Sequence, residues 1–260
     1  MDQNLQDIAD KIIKYLDQKN VQYSDVRADQ QVKNSALIEN NDIEHIKNNE
    51  DKGVGVRLIK NGTWSFCSIT NPNSFDEIKN ILDNTIKNSD YRNIDDDKIK
   101  LHSNPVNKRE INFPVLKKPD IEELIKMGLE CNKIISATPK IIKSIAHASY
   151  TVNSKYFVNS EGSKILQNFT DIIMEMVATA HESGQTQSVN ITEGGRGGLE
   201  LITNKIQQSA KEISKKASEL IYAKPVKEEK ATVEMNPDFV PLLLFLPIQT
   251  IVLTVDTVTS

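Results

Sequence analysis

The chain has 260 residues, 38% of them apolar and 26% charged, which suffices to bury a sizeable core in a water-soluble protein. Its 36 acidic and 32 basic side chains are mixed along the chain and give a net charge of -4, so there is no basic face to meet a phosphate backbone and no nucleic-acid partner is expected. Only Cys67 and Cys131 are present, in no CxxC or Cys/His spacing, which excludes a disulfide framework and a structural zinc site and suits free thiols in a reducing compartment.

The opening Met1-Asp2-Gln3-Asn4 carries neither a basic nor an apolar signal region, and a cytoplasmic location is expected. Leu5, Ile8, Ile12, Ile13 and Leu16 recur at helical spacing and predict a first helix. From Tyr23 to Thr70 the pattern changes to short alternating runs, read as strands: Val26 and Ala28, Leu37, Ile43 and Ile46, then Val54, Val56 and Leu58. Asn61-Gly62 predicts a two-residue hairpin turn that sends Trp64 and Phe66 to one face of the next strand. A second helix carries Ile78, Ile81, Leu82 and Ile86, with Ser74 and Glu77 at capping-box spacing. Residues 88–119 are polar and rich in proline, and read as a connector; its triplet Asp95-Asp96-Asp97 lacks the alternating ligands and turn glycine of a calcium loop. Asp120 predicts the cap of a third helix running to about Ala137, with Ile121, Leu124, Ile125 and Leu129 on its apolar face. Strands resume over 141–151, 155–159 and 163–180, turning at Ser160-Glu161-Gly162, and a last long helix carries Ile202, Ile206, Ala210, Ile213, Ala217 and Leu220. The fold class is α+β, with helices packed on antiparallel sheets.

Few residues offer chemistry. His181-Glu182 could begin a zinc helix, but Gln185 and Thr186 occupy the two positions where a second histidine would stand, so an ordinary polar strand end fits better. His45, His102 and His147 likewise have no His or Cys at ligand spacing, and no catalytic residue or metal ligand is assigned. The run Glu193-Gly194-Gly195-Arg196-Gly197-Gly198-Leu199-Glu200 admits two readings. It is a tight strand-to-helix corner, or a place where backbone amides and one guanidinium approach a ligand, and Gly194, Gly195, Arg196, Gly197 and Gly198 are the candidate substrate-binding residues.

Four ordered segments together resemble one family: Asp25-Val26-Arg27; Gly53-Val54-Gly55-Val56-Arg57 with Asn61-Gly62-Thr63-Trp64-Ser65-Phe66; Val158-Asn159-Ser160-Glu161-Gly162; and Gly194 to Glu200. These, with Ala217 to Pro225 and Ala231 to Val240, make the chain similar to the TldD/PmbA family. The resemblance implies zinc metalloproteases, also called modulators of DNA gyrase, that assemble as two-subunit peptidases with a sister subunit lacking the metal motif. It implies an N-terminal scaffold that handles peptides, followed by a helix carrying HExxxH shortly after a segment like Asn236 to Val240.

Here that stretch reads Pro241-Leu242-Leu243-Leu244-Phe245-Leu246-Pro247-Ile248-Gln249-Thr250, and no His, Cys or Glu follows Glu234. Phe239 to Val255 is uncharged but short and broken by two prolines, so no membrane span is expected. A reading-frame change or truncation near Val240 is the expected origin of this tail. The organisation expected is a helix and strand domain over 1–90, a linker over 91–119, a meander and long helix over 120–240, and an atypical apolar tail over 241–260. The function expected is the scaffold and peptide-handling part of a family protease, inactive alone and without a cofactor of its own. Its expected partners are peptides and a homo- or heterodimer partner from the family; the alternative is a non-catalytic partner subunit or regulatory binding module.

Overall fold

In the computed structural model, which describes residues 1–90, 99, 101–102 and 105–224, the chain opens on α1 (Gln3–Asp17). Its predicted stripe of Leu5, Ile8, Ile12, Ile13 and Leu16 is buried, and Asp2 caps it by accepting from the Asn4 N–H at 3.0 Å. Strands β1 (Tyr23–Glu39), β2 (Asp42–Lys60) and β3 (Thr63–Thr70) form an antiparallel meander. Asn61 and Gly62 have φ of 54° and 77°, the two-residue turn expected there. Asn40 and Asn41, at 49° and 71°, make a second such turn, so β1 and β2 are one long hairpin where the sequence suggested shorter runs. In α2 (Phe75–Asp90), Ile78, Leu82 and Ile86 are buried while Ile81 faces out, and the Glu77 carboxylate reaches the Asn73 N–H, one residue before the predicted cap.

The connector contributes a strand the sequence did not announce, β4 (Lys108–Asn112), which pairs in parallel with residues 164–168 further along the chain. Helix α3 (Ile121–Ser136) starts where predicted, with the Asp120 carboxylate accepting from the Glu122 and Glu123 N–H groups. Its buried face is Leu124, Gly128, Cys131 and Ile135, which displaces the predicted stripe toward Gly128. The reason is contact distance: a Cβ at Gly128 would lie 2.5 Å from Ile38 Cδ1, so the helix approaches the sheet most closely at the residue without a side chain.

Strands β5 (Ile141–Asn159) and β6 (Lys164–Glu182) are joined through the predicted turn, with Gly162 at φ 96°. A further strand, β7 (Gln185–Arg196), follows a two-residue turn at Ser183 and Gly184, whose φ values are 49° and 82°. A single 3-10 turn (Leu199–Leu201) then leads to α4 (Ile206–Leu220), which buries Ile206, Ala210, Ile213 and Ala217.

The strands form one seven-stranded sheet in the order β3-β2-β1-β5-β6-β4, with β7 also on β6, and every pairing is antiparallel except β4 with β6. The α+β class with helices on antiparallel strands is the one expected. Because side chains alternate along a strand, Val26, Ala28, Ala36 and Ile38 of β1 share a face, as do Ala146, Ala148, Tyr156 and Val158 of β5. All four helices pack on that face, but in two groups. α1 and α2 cover Val26, Ala28, Val56 and Val158, whereas α3 and α4 cover Ile38, Ala148, Met174 and Met176. Between them the helix side of the sheet is open, and Val152 there is 41% exposed. The opposite face carries no helix among the described residues.

The acidic triplet Asp95-Asp96-Asp97, the segment 231–240 and the tail after Val240 lie outside the described residues. Among the described residues no helix is long and apolar enough to cross a membrane.

Candidate functional site

The glycine run is the corner where β7 leaves the sheet. Gly194 and Gly195 stand opposite Ile173 and Ile172 of β6, and a Cβ at Gly194 would lie 2.0 Å from the Ile172 carbonyl oxygen. Gly194, Gly195 and Gly197 hold φ of 142°, 149° and 153°, values open to glycine and strained for other residues. At Gly198 the constraint is proximity, since a Cβ would lie 2.0 Å from the Lys117 carbonyl oxygen. The corner amides are engaged within the chain. Gly197 N–H donates to Thr170 O at 2.9 Å, Gly198 N–H to Glu200 Oε1 at 2.8 Å, and Leu199 N–H to Lys117 O at 2.9 Å. The Glu200 carboxylate also accepts from the N–H groups of Lys117 (2.8 Å) and Leu116 (3.3 Å), tying the connector to the corner. Burial pushes this carboxyl's pKa up, but the amide hydrogen bonds outweigh it and hold the group below its ordinary value.

Of the five candidate residues, Arg196 therefore presents the side-chain chemistry, and the glycines place it. It stands on the helix-free face, 47% exposed, with Nε donating to Asp171 Oδ1 at 3.2 Å across the β6–β7 ladder. Its guanidinium carbon lies 4.0 Å from the Phe169 ring centroid and 4.9 Å from that of Phe113. The two rings meet edge to face at 6.0 Å, and the Phe113 N–H donates to Asn168 O, which fixes the ring beside Phe169. Asp171 is held from the other side by Asn153 Nδ2 at 3.3 Å, and Lys155 Nζ lies 5.8 Å from the Phe169 centroid.

A second guanidinium cluster occupies the β3 side of the same face. Asp25 is fully buried and accepts from Arg57 Nε at 2.8 and 3.1 Å and from Arg57 Nη2 at 2.5 Å, with Arg27 Nε at 3.8 Å. The Arg57 guanidinium lies 5.1 Å from the Trp64 centroid, Trp64 stacks on Phe66 at 5.9 Å, and Tyr23 meets Trp64 edge-on at 6.0 Å. The carboxylate raises the Arg57 pKa further, and burial raises that of Tyr23. Sequence reasoning placed Trp64 and Phe66 on one strand face and otherwise used these residues to recognise a family, without assigning them to a site. Their period-two spacing, Asp25 with Arg27 and Trp64 with Phe66, was the signal that they share a face.

The histidines stay apart. His181 and Glu182 end β6, paired across the turn with Thr186 and Gln185, and His181 Nδ1 lies 2.8 Å from Thr186 Oγ1. His45 and His147 flank Leu37 from the two neighbouring strands; burial, with help from Lys33, lowers the His147 pKa, and His102 lies in the connector. Among the described residues no group of three or more His, Cys, Asp or Glu could hold a metal ion. The zinc implied by the resemblance thus meets no suitable donor set in them, and no His, Cys or Glu follows Glu234 in the sequence.

Two family profiles match: PmbA/TldA metallopeptidase domain 1 over residues 24–89 and the PmbA/TldA metallopeptidase central domain over residues 114–223. The chain belongs to the PmbA/TldD metallopeptidase family. Arg57 lies within the first matched region and Arg196 within the second. A metalloprotease of Methanocaldococcus jannaschii is 28% identical over 233 residues, which cover 83% of this chain and 48% of that protein. A metalloprotease of Methanothermobacter thermautotrophicus is 21% identical over 227 residues, covering 84% and 47%. The chain thus spans about half the length of these relatives. Among solved structures, a protein of Bacteroides thetaiotaomicron described as a modulator of DNA gyrase aligns with TM-score 0.69 and 17% identity over 82% of this chain and 49% of its own. TldE from Thermococcus kodakarensis aligns with TM-score 0.64 and 15% identity, covering 81% and 47%. These likenesses establish a shared fold.

Proposed function

We propose that this chain is the scaffold and peptide-handling part of a PmbA/TldD metallopeptidase, and that it hydrolyses no peptide on its own. The observation that carries the reading is the helix-free sheet face, where Arg196 on its two phenylalanine rings and Arg57 beside Trp64 offer donors and apolar surface together. Peptides suit such a face, because guanidinium groups donate to carbonyl and carboxylate oxygens while the rings beside them take apolar side chains. Hydrolysis by the metalloprotease route needs a metal and a base, and the sequence holds neither the paired histidines nor the glutamate of the family motif. A complete family member would supply them, with this chain as its partner in a homologous dimer. Its two free thiols, Cys67 and Cys131, fit a cytoplasmic setting. The same lack of a metal motif supports a second reading, a non-catalytic partner subunit in the role of the family's motif-less sister.

The test is reconstitution. Purified chain mixed with a complete family metalloprotease is expected to co-elute with it in size-exclusion chromatography and to alter which peptides it cleaves, with all cleavage abolished by chelator. Chelator-sensitive cleavage by this chain alone would overturn the assignment as non-hydrolytic. A chain that stays monomeric beside every complete member would remove the partner role.

A further inference from the structure

We infer that Arg196 is a receptor for a peptide carboxylate, so that the helix-free face selects peptides bearing an acidic side chain or a free C-terminus. The inference rests on the peptide-handling reading above and specifies its ligand. A guanidinium binds a carboxylate best through two parallel N–H groups in one plane. Here the guanidinium is flanked by two rings before any ligand arrives: the Phe169 centroid lies 4.0 Å and that of Phe113 4.9 Å from the guanidinium carbon. Among the described residues, Arg196 makes one hydrogen bond, from Nε to Asp171 at 3.2 Å, so its terminal nitrogens remain as donors. A pair this exposed contributes little to stability, and holding a strand end would not need two rings around the cation.

Other charges share the face. Lys155 shares the Phe169 ring with Arg196, and Lys33 stands in the same cross-strand row as Thr151, Asp171 and Arg196. Three carboxylates share the face: Asp171, Asp29, which lies 3.7 Å from Lys155, and Glu175, in the row of His147 and Thr192. The donors left for a ligand are therefore the terminal nitrogens of Arg196 itself. The glycine corner acts as the positioning element, since close approach at Gly194 and Gly198 fixes where β7 ends and hence where Arg196 projects.

The experiment uses fluorescence anisotropy of the full chain with three labelled octapeptides of Gly, Ala, Ser and Thr. One is neutral and C-terminally amidated, one is amidated with a single internal Glu, and one is neutral with a free C-terminus. At low salt, one or both carboxylate-bearing peptides should bind about tenfold more tightly than the neutral amide. Which of them does so identifies the source of the carboxylate. Arg196→Gln should bring the carboxylate-bearing peptides down to the affinity that the same variant has for the neutral amide, and Arg196→Lys should keep only part of the preference, in variants whose circular dichroism matches the parent. Equal binding of all three peptides by the parent chain, or a preference that survives Arg196→Gln, overturns the carboxylate receptor and leaves peptide handling standing. Binding of none of the three overturns both.

Discussion

Replacing Arg57 by alanine tests whether the Asp25–Arg57 pair holds the first half of the sheet together. Asp25 is fully buried, and Arg57 gives it contacts at 2.5, 2.8 and 3.1 Å. Removing one partner of a buried pair costs about 3–5 kcal/mol, because the remaining charge is left without compensation. Two features lower that figure. Arg27, 3.8 Å from Asp25 and exposed, offsets about 1 kcal/mol, and Arg57 is itself 36% exposed, so water reaches the vacated space. Loss of the Trp64 contact adds about 0.5 kcal/mol back. The expected loss is about 3 kcal/mol, or about 6–12 °C in Tm for a chain of this size. Urea titration followed by circular dichroism measures it, and Trp64, the single tryptophan, reports the same region by fluorescence. Adding Asp25→Asn to Arg57→Ala should recover at least half the loss, since a neutral amide tolerates burial better than an unpaired carboxylate. A single-variant loss below about 1 kcal/mol, or no recovery in the double variant, refutes the reasoning.

Four further outcomes are expected. Gly198→Ala should lower the urea midpoint by the equivalent of about 3 kcal/mol or prevent folding, because the new Cβ meets the Lys117 carbonyl, which is backbone and cannot rotate away. Glu200→Gln should cost about 2 kcal/mol at pH 7 and flatten the acid limb of the stability profile. The Glu200 carboxyl is depressed in the folded state, so its contribution is present above the unfolded value of about 4.3 and is lost as pH falls through the folded value; Tm measured from pH 3 to 7 checks this. Gly128→Ala should destabilise by about 1 kcal/mol despite its helix-propensity gain, and become neutral or better with Ile38→Val, which removes the Cδ1 atom 2.5 Å away. Burial, aided by Glu130, pushes the Cys131 thiol up to about 12, so at pH 8 a maleimide should label it only after denaturation, as mass spectrometry of native and urea-treated protein will show.

Local chemistry made much of the fold legible. Asp120 capped the helix it announced, the α1 stripe is buried residue for residue, and Asn61-Gly62 turns as its φ preferences require. What escaped depended on pairing with a neighbouring strand rather than on apolar pattern. The β7 strand alternates polar residues with few apolar ones, and Ser183-Gly184 looks like a helix breaker until its neighbours are seen to pair. β4 consists of five mostly exposed residues whose strand character comes from β6 alone. At the candidate site the glycine run was visible in sequence, but its tight approaches to Ile172 and Lys117 come from residues far along the chain. The rings around Arg196 were also hidden, because Phe113 arrives from the connector and Phe169 from a different strand.

The sheet that carries two separate hydrophobic clusters also determines what happens if the chain is cut. β1 and β5 pair continuously from Asp25 opposite Asn159 to Glu39 opposite Ile145, and this ladder joins the cluster under α1 and α2 to the one under α3 and α4. Cleavage within the connector between α2 and β4 removes the covalent link and leaves that ladder intact. Pulled apart, each fragment would show water a long bare strand edge, with apolar residues at alternate positions on one side of it. Two such fragments are each other's best partners, so they should recombine from solution into the parent fold, with the β1–β5 seam rather than the connector as the true joint of the molecule.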